Sequence, residues 1–186
     1  MAVVSLPTAD GGVEEYEAGE PLEFVTSAAG AFPRIAYSAA HVVSDPYADC
    51  DPWLETAIDW DATIEYRRHL WSLGMGVAEA MDTAQRGMGL DWPTSLELIK
   101  RSVDAAKDFG EGALIASGAG TDHIAPDPSL TVDDIIAAYE EQCAAVEAAG
   151  GRIILMASRA LAAAAKTPDD YAKVYARVLG QVKEPV

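Results

Sequence analysis

Positive charge is what this sequence has least of. Thirteen lysines and arginines stand against 30 aspartates and glutamates, a formal charge of −17 over 186 residues, and nowhere do the cations gather into a stripe. Phosphate backbones and anionic membrane surfaces are held by such stripes, so nucleic acid and membrane are set aside as partners. Long apolar runs are also missing. Nothing approaches the ~20 residues of a membrane helix, and Met1-Ala2-Val3-Val4-Ser5-Leu6-Pro7 has neither the basic start nor the apolar core of a signal peptide. Cysteine is limited to Cys50 and Cys143, far apart and without metal-ligand spacing. That excludes a disulfide framework and leads to the expectation of a reduced, cytoplasmic setting.

What is present suffices for a sizeable core, because half of the residues are hydrophobic. Residues 1–33 read as an appendage: a β-hairpin turning at Asp10-Gly11, then segments punctuated by Glu20-Pro21 and Phe32-Pro33. Residues 34–186 read as repeated strand–helix units. Strands are expected over Ile35–Ala40, Met75–Met81, Ala113–Ala116 and Arg152–Ala157, about forty residues apart, room enough for a crossover helix each time. The first helix should start near Asp59 or Asp61 and bury Ala62, Tyr66, Leu70 and Leu73. The second should start at Thr94 in a capping box with Glu97 and bury Leu96, Ile99, Val103 and Ala106. The third starts at Thr131 with acids in its first turn and buries Ile135, Tyr139, Cys143 and Val146. A short alanine-rich helix over Ala160–Ala165 and a final one opening Thr167-Pro168-Asp169-Asp170 follow. Four βα units make a parallel sheet with right-handed crossovers; spacing leaves open whether the sheet is open or part of a barrel.

The chemistry should sit at the carboxyl ends of these strands, where distant residues converge in a parallel α/β architecture. The candidates there are His41; Glu79, Asp82, Thr83, Gln85 and Arg86; Asp122 and His123; and Ser158 and Arg159. Arg86 and Arg159 are the natural carboxylate clamps in so acidic a chain, through bidentate guanidinium contacts, unless each is consumed by a salt bridge. His41, Asp122 and His123 are candidate acid–base groups, with helix capping as the structural alternative for Asp122. With Glu79 and Asp122 the histidines could also hold a divalent metal, although no HxH or HxxxH spacing supports one; no other cofactor is expected. The lysines at 100, 107, 166, 173 and 183 fall on helices or their ends, not at a strand end where a Schiff-base lysine belongs. The tryptophans at 53, 60, 71 and 92 are expected to pack helices or an interface. On this reading Arg86→Ala and Arg159→Ala weaken binding of a carboxylated ligand far more than they change stability, and Asp122→Asn impairs turnover while leaving the melting temperature nearly unchanged.

Several segments resemble a known superfamily. Ile58-Asp59-Trp60-Asp61 before a helix ending at Gly74, and Ala116-Ser117-Gly118-Ala119-Gly120-Thr121 further on, are similar to the amino-terminal half of the dihydrodipicolinate synthase and N-acetylneuraminate lyase superfamily. Four segments look closer to an uncharacterised bacterial family usually described as dihydrodipicolinate-synthase-like. They are Tyr37-Ser38-Ala39-Ala40-His41-Val42-Val43, the run from Glu79 to Gly89, Gly118 to His123, and Ile154 to Leu161. The resemblance implies a (β/α)8 TIM-type barrel, here as a half barrel of about four βα units. It also implies an aldolase- or lyase-like enzyme that makes or breaks a carbon–carbon bond in a small oxo-acid or sugar-acid through a lysine Schiff base. That lysine lies near the end of the sixth strand in the family, so no residue here receives its role. The family's glycine–threonine–threonine turn is replaced by Met81-Asp82-Thr83-Ala84-Gln85-Arg86, where only Thr83 keeps a matching hydroxyl, and its relay tyrosine is absent from Ala157-Ser158-Arg159-Ala160. Two alternatives stand beside this expectation: a metal-dependent barrel isomerase or class II aldolase, and a non-catalytic half barrel. The partners expected are a small carboxylated substrate and either the carboxyl-terminal remainder of the barrel or a second copy of the chain. The half barrel should turn Ile35, Val77, Ile115 and Ile154 towards the missing half.

Overall fold

The computed structural model describes residues 2–24 and 33–182. Parts of the expected appendage (25–32, including Phe32) and the chain end with Lys183 lie outside the described residues. The hairpin pairs β1 (Val3–Pro7) antiparallel to β2 (Val13–Glu17). Its turn holds Gly11 at φ +83°, and Asp10 accepts a hydrogen bond from the Thr8 hydroxyl. Every residue of both strands is exposed.

The main sheet is parallel, with β3 (Tyr37–Ala39), β4 (Gly76–Glu79), β5 (Ile115–Ala119) and β6 (Ile153–Leu155) in that spatial order. Between them run α1 (Trp60–Ser72), α2 (Trp92–Phe109) and α3 (Val132–Ala148), and after β6 come α4 (Arg159–Ala164) and α5 (Pro168–Leu179). Side chains alternate across a strand, and the register decides which face each takes. Val77 and Ile115 pack with Leu70, Trp71 and Ala106, while Ala119 and Ile153 pack with Leu98, Tyr139 and Val146. Thus α1, α2 and α3 cover one and the same face. A doubly wound sheet would divide its helices between two faces; a barrel wall carries them on one. The sheet is open, with edges at β3 and β6.

The uncovered face presents Tyr37, Ala39, Gly76, Ala78, Ala116, Gly118 and Ile154, as the pairings Tyr37↔Gly76, Ala78↔Ala116 and Gly118↔Ile154 require. Val77 and Ile115 therefore face the helices rather than a missing half, and Ile35 precedes β3, 74% exposed. Only Ile154 of the four expected residues lies on the open face. The strands are also shorter than expected at most ends. β5 is displaced instead: it begins at Ile115 and runs on through Gly118 and Ala119, residues whose small size suggested a turn.

Helix starts follow the capping chemistry with one change. Asp59 caps α1 by accepting from the Ala62 amide at 2.9 Å. A reciprocal box joins Thr131 to Asp134, and at the start of α5 the Asp170 carboxylate accepts from the Thr167 amide and hydroxyl. For α2 the cap is Asp91, which accepts from the Thr94 amide at 2.9 Å, so the helix begins two residues before Thr94, with Pro93 in its first turn. The buried face of α1 is Thr63, Arg67, Leu70 and Trp71 rather than the stripe through Ala62, Tyr66 and Leu73. Arg67 turns the helix this way because its charge is neutralised inside, by Glu79. Among the described residues no helix is long and apolar enough to cross a membrane.

Candidate functional site

The loops following β4, β5 and β6 enclose a cleft of about 350 Å3 at the carboxyl ends of the strands. Asp82, Arg86, Asp122, His123 and Arg159 line it. Its construction begins with the chain leaving β4. Ala80 takes φ +51° and Gln85 φ +63°, both in the left-handed region, which is costly for residues with a Cβ. Ala80 is held there from two sides: its amide donates to Glu79 Oε1 at 2.8 Å and its carbonyl accepts from Arg86 Nη1 at 3.1 Å.

Arg86 is the centre of the site, 1% exposed. Nε and Nη2 donate to Asp122 at 2.8 to 3.1 Å, Nη1 donates to the carbonyls of Ala80 and Gly118, and Nη2 also reaches Gln142 Oε1. The guanidinium lies 5.0 Å from the Trp92 ring centroid. A guanidinium has five N–H donors, and all five are used. Arg86 thus cannot clamp a substrate carboxylate while Asp122 stays in place, and this part of the expectation is corrected. Gly118 makes the arrangement possible, since a Cβ there would come within 2.6 Å of Met156 Sδ and 2.8 Å of the Ala80 carbonyl.

Asp122 caps no helix. Partial burial pushes its carboxyl upward, but the Arg86 hydrogen bonds and charge, with a further bond from Gln142, outweigh this and hold it below the usual carboxylate range. His123 is half-buried; its Nδ1 lies 2.8 Å from Gln142 Nε2 and its Nε2 3.4 Å from Glu141 Oε2. Arg159, by contrast, is exposed at the mouth, its guanidinium beside Gly87, with no hydrogen bond or ion pair to any described residue.

The remaining candidates fall elsewhere. Glu79 points to the helix side, fully buried, and receives Arg67 Nε and Nη2 at 2.8 and 2.9 Å, so it is neither substrate ligand nor metal ligand here. Arg67 Nη1 donates to the carbonyls of His41 and Thr63, joining α1 to the end of β3. His41 is exposed, stacked 4.8 Å from Tyr66, outside the cleft. Thr83 is exposed on the short turn after β4 and does not line the cleft, and Gln85 opens instead on a neighbouring cavity of about 550 Å3 under the 42–58 loop. Ser158 is buried behind the mouth, capping α4 through the Leu161 amide and bonded to Thr121 Oγ1 at 2.6 Å. Among the described residues no three of His, Cys, Asp and Glu come together as a metal set. Lys100, Lys107, Lys166 and Lys173 are exposed and away from strand ends. Trp71 and Trp92 are buried, whereas Trp53 is 92% exposed on the 42–58 loop.

Sequence reasoning missed Gln142, which is fully buried and touches Arg86, Gly120, Asp122 and His123. The signal was available: Gln142 occupies a place on the stripe through Ile135, Tyr139, Cys143 and Val146 where every neighbour is apolar.

Two of the solved structures similar to this chain are dihydrodipicolinate synthases. Dihydrodipicolinate synthase from Bacillus clausii matches with a TM-score of 0.55 at 16% identity, over 81% of this chain and 43% of that one. Dihydrodipicolinate synthase from Oceanobacillus iheyensis matches with a TM-score of 0.53 at 14% identity, over 82% and 43%. The chain spans less than half the length of these proteins, and at such identities the likeness is one of fold. No curated protein matches. The family model described as "Protein of unknown function (DUF993)" matches residues 4–186, nearly the whole chain, and the chain belongs to that family.

Proposed function

We propose that this chain supplies the first βα units of an aldolase- or lyase-type barrel enzyme that makes or breaks a carbon–carbon bond in a small oxo-acid or sugar-acid. The observation that carries the proposal is the guanidinium of Arg159, without an ion-pair partner among the described residues, at the mouth of a cleft that also holds Asp122 and His123. An arginine at a cleft mouth in a chain of net charge −17 is a selective point for a ligand carboxylate, because Arg binds such groups bidentately. Arg86 shapes the cleft from below by fixing Asp122, and the loops after β4, β5 and β6 bring three sequence-distant segments against one ligand. The nucleophilic, Schiff-base-forming lysine of such an enzyme comes from outside this chain's described residues. A reducing, cytoplasmic setting fits the two free cysteines.

Calorimetry on the complete protein tests this with pyruvate as the probe. Loss of one charge-assisted contact of about 2 kcal/mol predicts roughly 30-fold weaker binding in Arg159→Ala. Equal affinity in wild type and variant, or no binding of pyruvate or of longer oxo-acids by either, defeats the reading.

A further inference from the structure

The orientation of the buried Gln142 amide is dictated by its surroundings, and it dictates in turn where His123 carries its proton. One end of the amide faces Arg86 Nη2 and, at 2.7 Å, the Gly120 amide. Both are donors only, so the atom between them is Oε1. The other end, Nε2, then has two hydrogens to place. It finds Asp122 Oδ1 at 3.0 Å and His123 Nδ1 at 2.8 Å. The first acceptor is an ionised carboxylate paired with Arg86. The second can accept only if Nδ1 carries a lone pair, which places the proton of the neutral ring on Nε2.

We infer that Gln142 is a positioning residue that locks His123 as its Nε2–H tautomer, so that His123 serves the cleft as a hydrogen-bond donor and not through Nδ1. Nε2–H faces Glu141 in the free protein; an oxygen of a ligand in the cleft competes for the same hydrogen. The other charged groups around the ring are Asp122 on its own loop, Arg86 beyond Gln142, and Asp82 and Arg159 across the cleft. Trp92 of α2 packs against the ring with centroids 6.4 Å apart. The relay needs each of its members. Arg86 sets the amide, the amide sets the ring, and the ring presents a single donor. Only the role of the donor towards a ligand rests on the proposed oxo-acid chemistry; the tautomer does not.

Nitrogen NMR of the intact protein with 15N-labelled histidine reads the tautomer directly. The chain has three histidines, and His123→Gln assigns the signal by its disappearance. Expected for neutral wild-type His123 is a proton-bearing Nε2 and an unprotonated Nδ1. A proton-bearing Nδ1, or the averaged pattern of a free imidazole, overturns the inference. Gln142→Glu replaces the donor facing Nδ1 by an acceptor. It should move the proton of the neutral ring onto Nδ1; an Nδ1 still bare in a variant that melts cooperatively also overturns the inference. A locked tautomer in a protein that binds no oxo-acid would discard the proposed function and leave this inference standing.

Discussion

Two buried arginines organise this protein, and each is neutralised by a carboxylate from another element: Arg67 of α1 by Glu79 of β4, and Arg86 after β4 by Asp122 after β5. Removing one partner from such a pair leaves an uncompensated buried charge, at a cost of about 3–5 kcal/mol when both groups are fully enclosed. Asp122 is less enclosed, its side chain 24% exposed, so Asp122→Asn is expected to cost about 2–3 kcal/mol by the same reasoning. This reverses the expectation that the substitution would leave the melting temperature unchanged. The pH dependence has a definite sign. Asp122 is held below its ordinary 3.8 in the folded protein, so its contribution is full above the unfolded value and is lost as pH falls through the lower folded value. Urea melts of wild type and Asp122→Asn should therefore differ at pH 7 and converge as acid protonates the wild-type carboxyl. Equal stability at pH 7 would mean that Arg86 is satisfied without Asp122.

At the scale of the element, the α2 start separates two readings of one sequence. Thr94 with Glu97 satisfies the formal capping pattern, yet Asp91 provides the acceptor, and Pro93 fits only if the helix has already begun. Hydrogen bonds from Thr94 hold the Asp91 carboxyl below the usual range. Asp91→Ala should cost about 1 kcal/mol, the usual value of a cap, and Thr94→Ala clearly less. Thermal denaturation of both variants checks this; a larger loss for Thr94→Ala would return the start of the helix to that residue. The same scale explains the exchange on α1. A helix buries the face whose polar groups find partners, and Arg67 has four acceptors waiting while Tyr66 can stay at the surface against His41.

Taken whole, the molecule exposes more than a compact monomer should. Its accessible surface is 11729 Å2, against about 8,600 Å2 for a monomer of this mass by the usual scaling. Part of the difference lies on the hairpin, where Val3, Val13 and Tyr16 are more than half exposed. Another part is the open face of the sheet, where Tyr37 is 40% exposed. Parallel sheets are ordinarily covered on both faces, and free edges invite pairing. The 186-residue chain expressed by itself is therefore expected to sediment as a dimer or larger species at micromolar concentration. Ala116→Glu, placed on the open face opposite the helices, should weaken that association. A dilute monomer with a sharp two-state melt would show that the open face needs no cover.

The order of elements, the βα repeat, the caps at Asp59, Thr131 and Thr167 and the gathering of Asp122, His123 and Arg159 near strand ends were all legible in the sequence. Each depends on neighbours a few residues apart or on a repeat of apolar positions. Composition likewise indicated that a cation would be scarce and therefore telling. What only the tertiary structure decided is which of two arginines is consumed by buried partners. Arg86 and Arg159 look alike in sequence, each following a strand in an acidic chain. Arg86 is surrounded by acceptors from residues 80, 118, 122 and 142, brought together by the pairing of β4 with β5 and by the docking of α3. Arg159 begins a short helix that points it into the open. The same holds for Glu79, whose position at a strand end suggested a ligand until the parity of β4 turned it towards Arg67. Charge at a strand end is a local property, whereas the partner that neutralises it is chosen by packing between elements far apart in the chain.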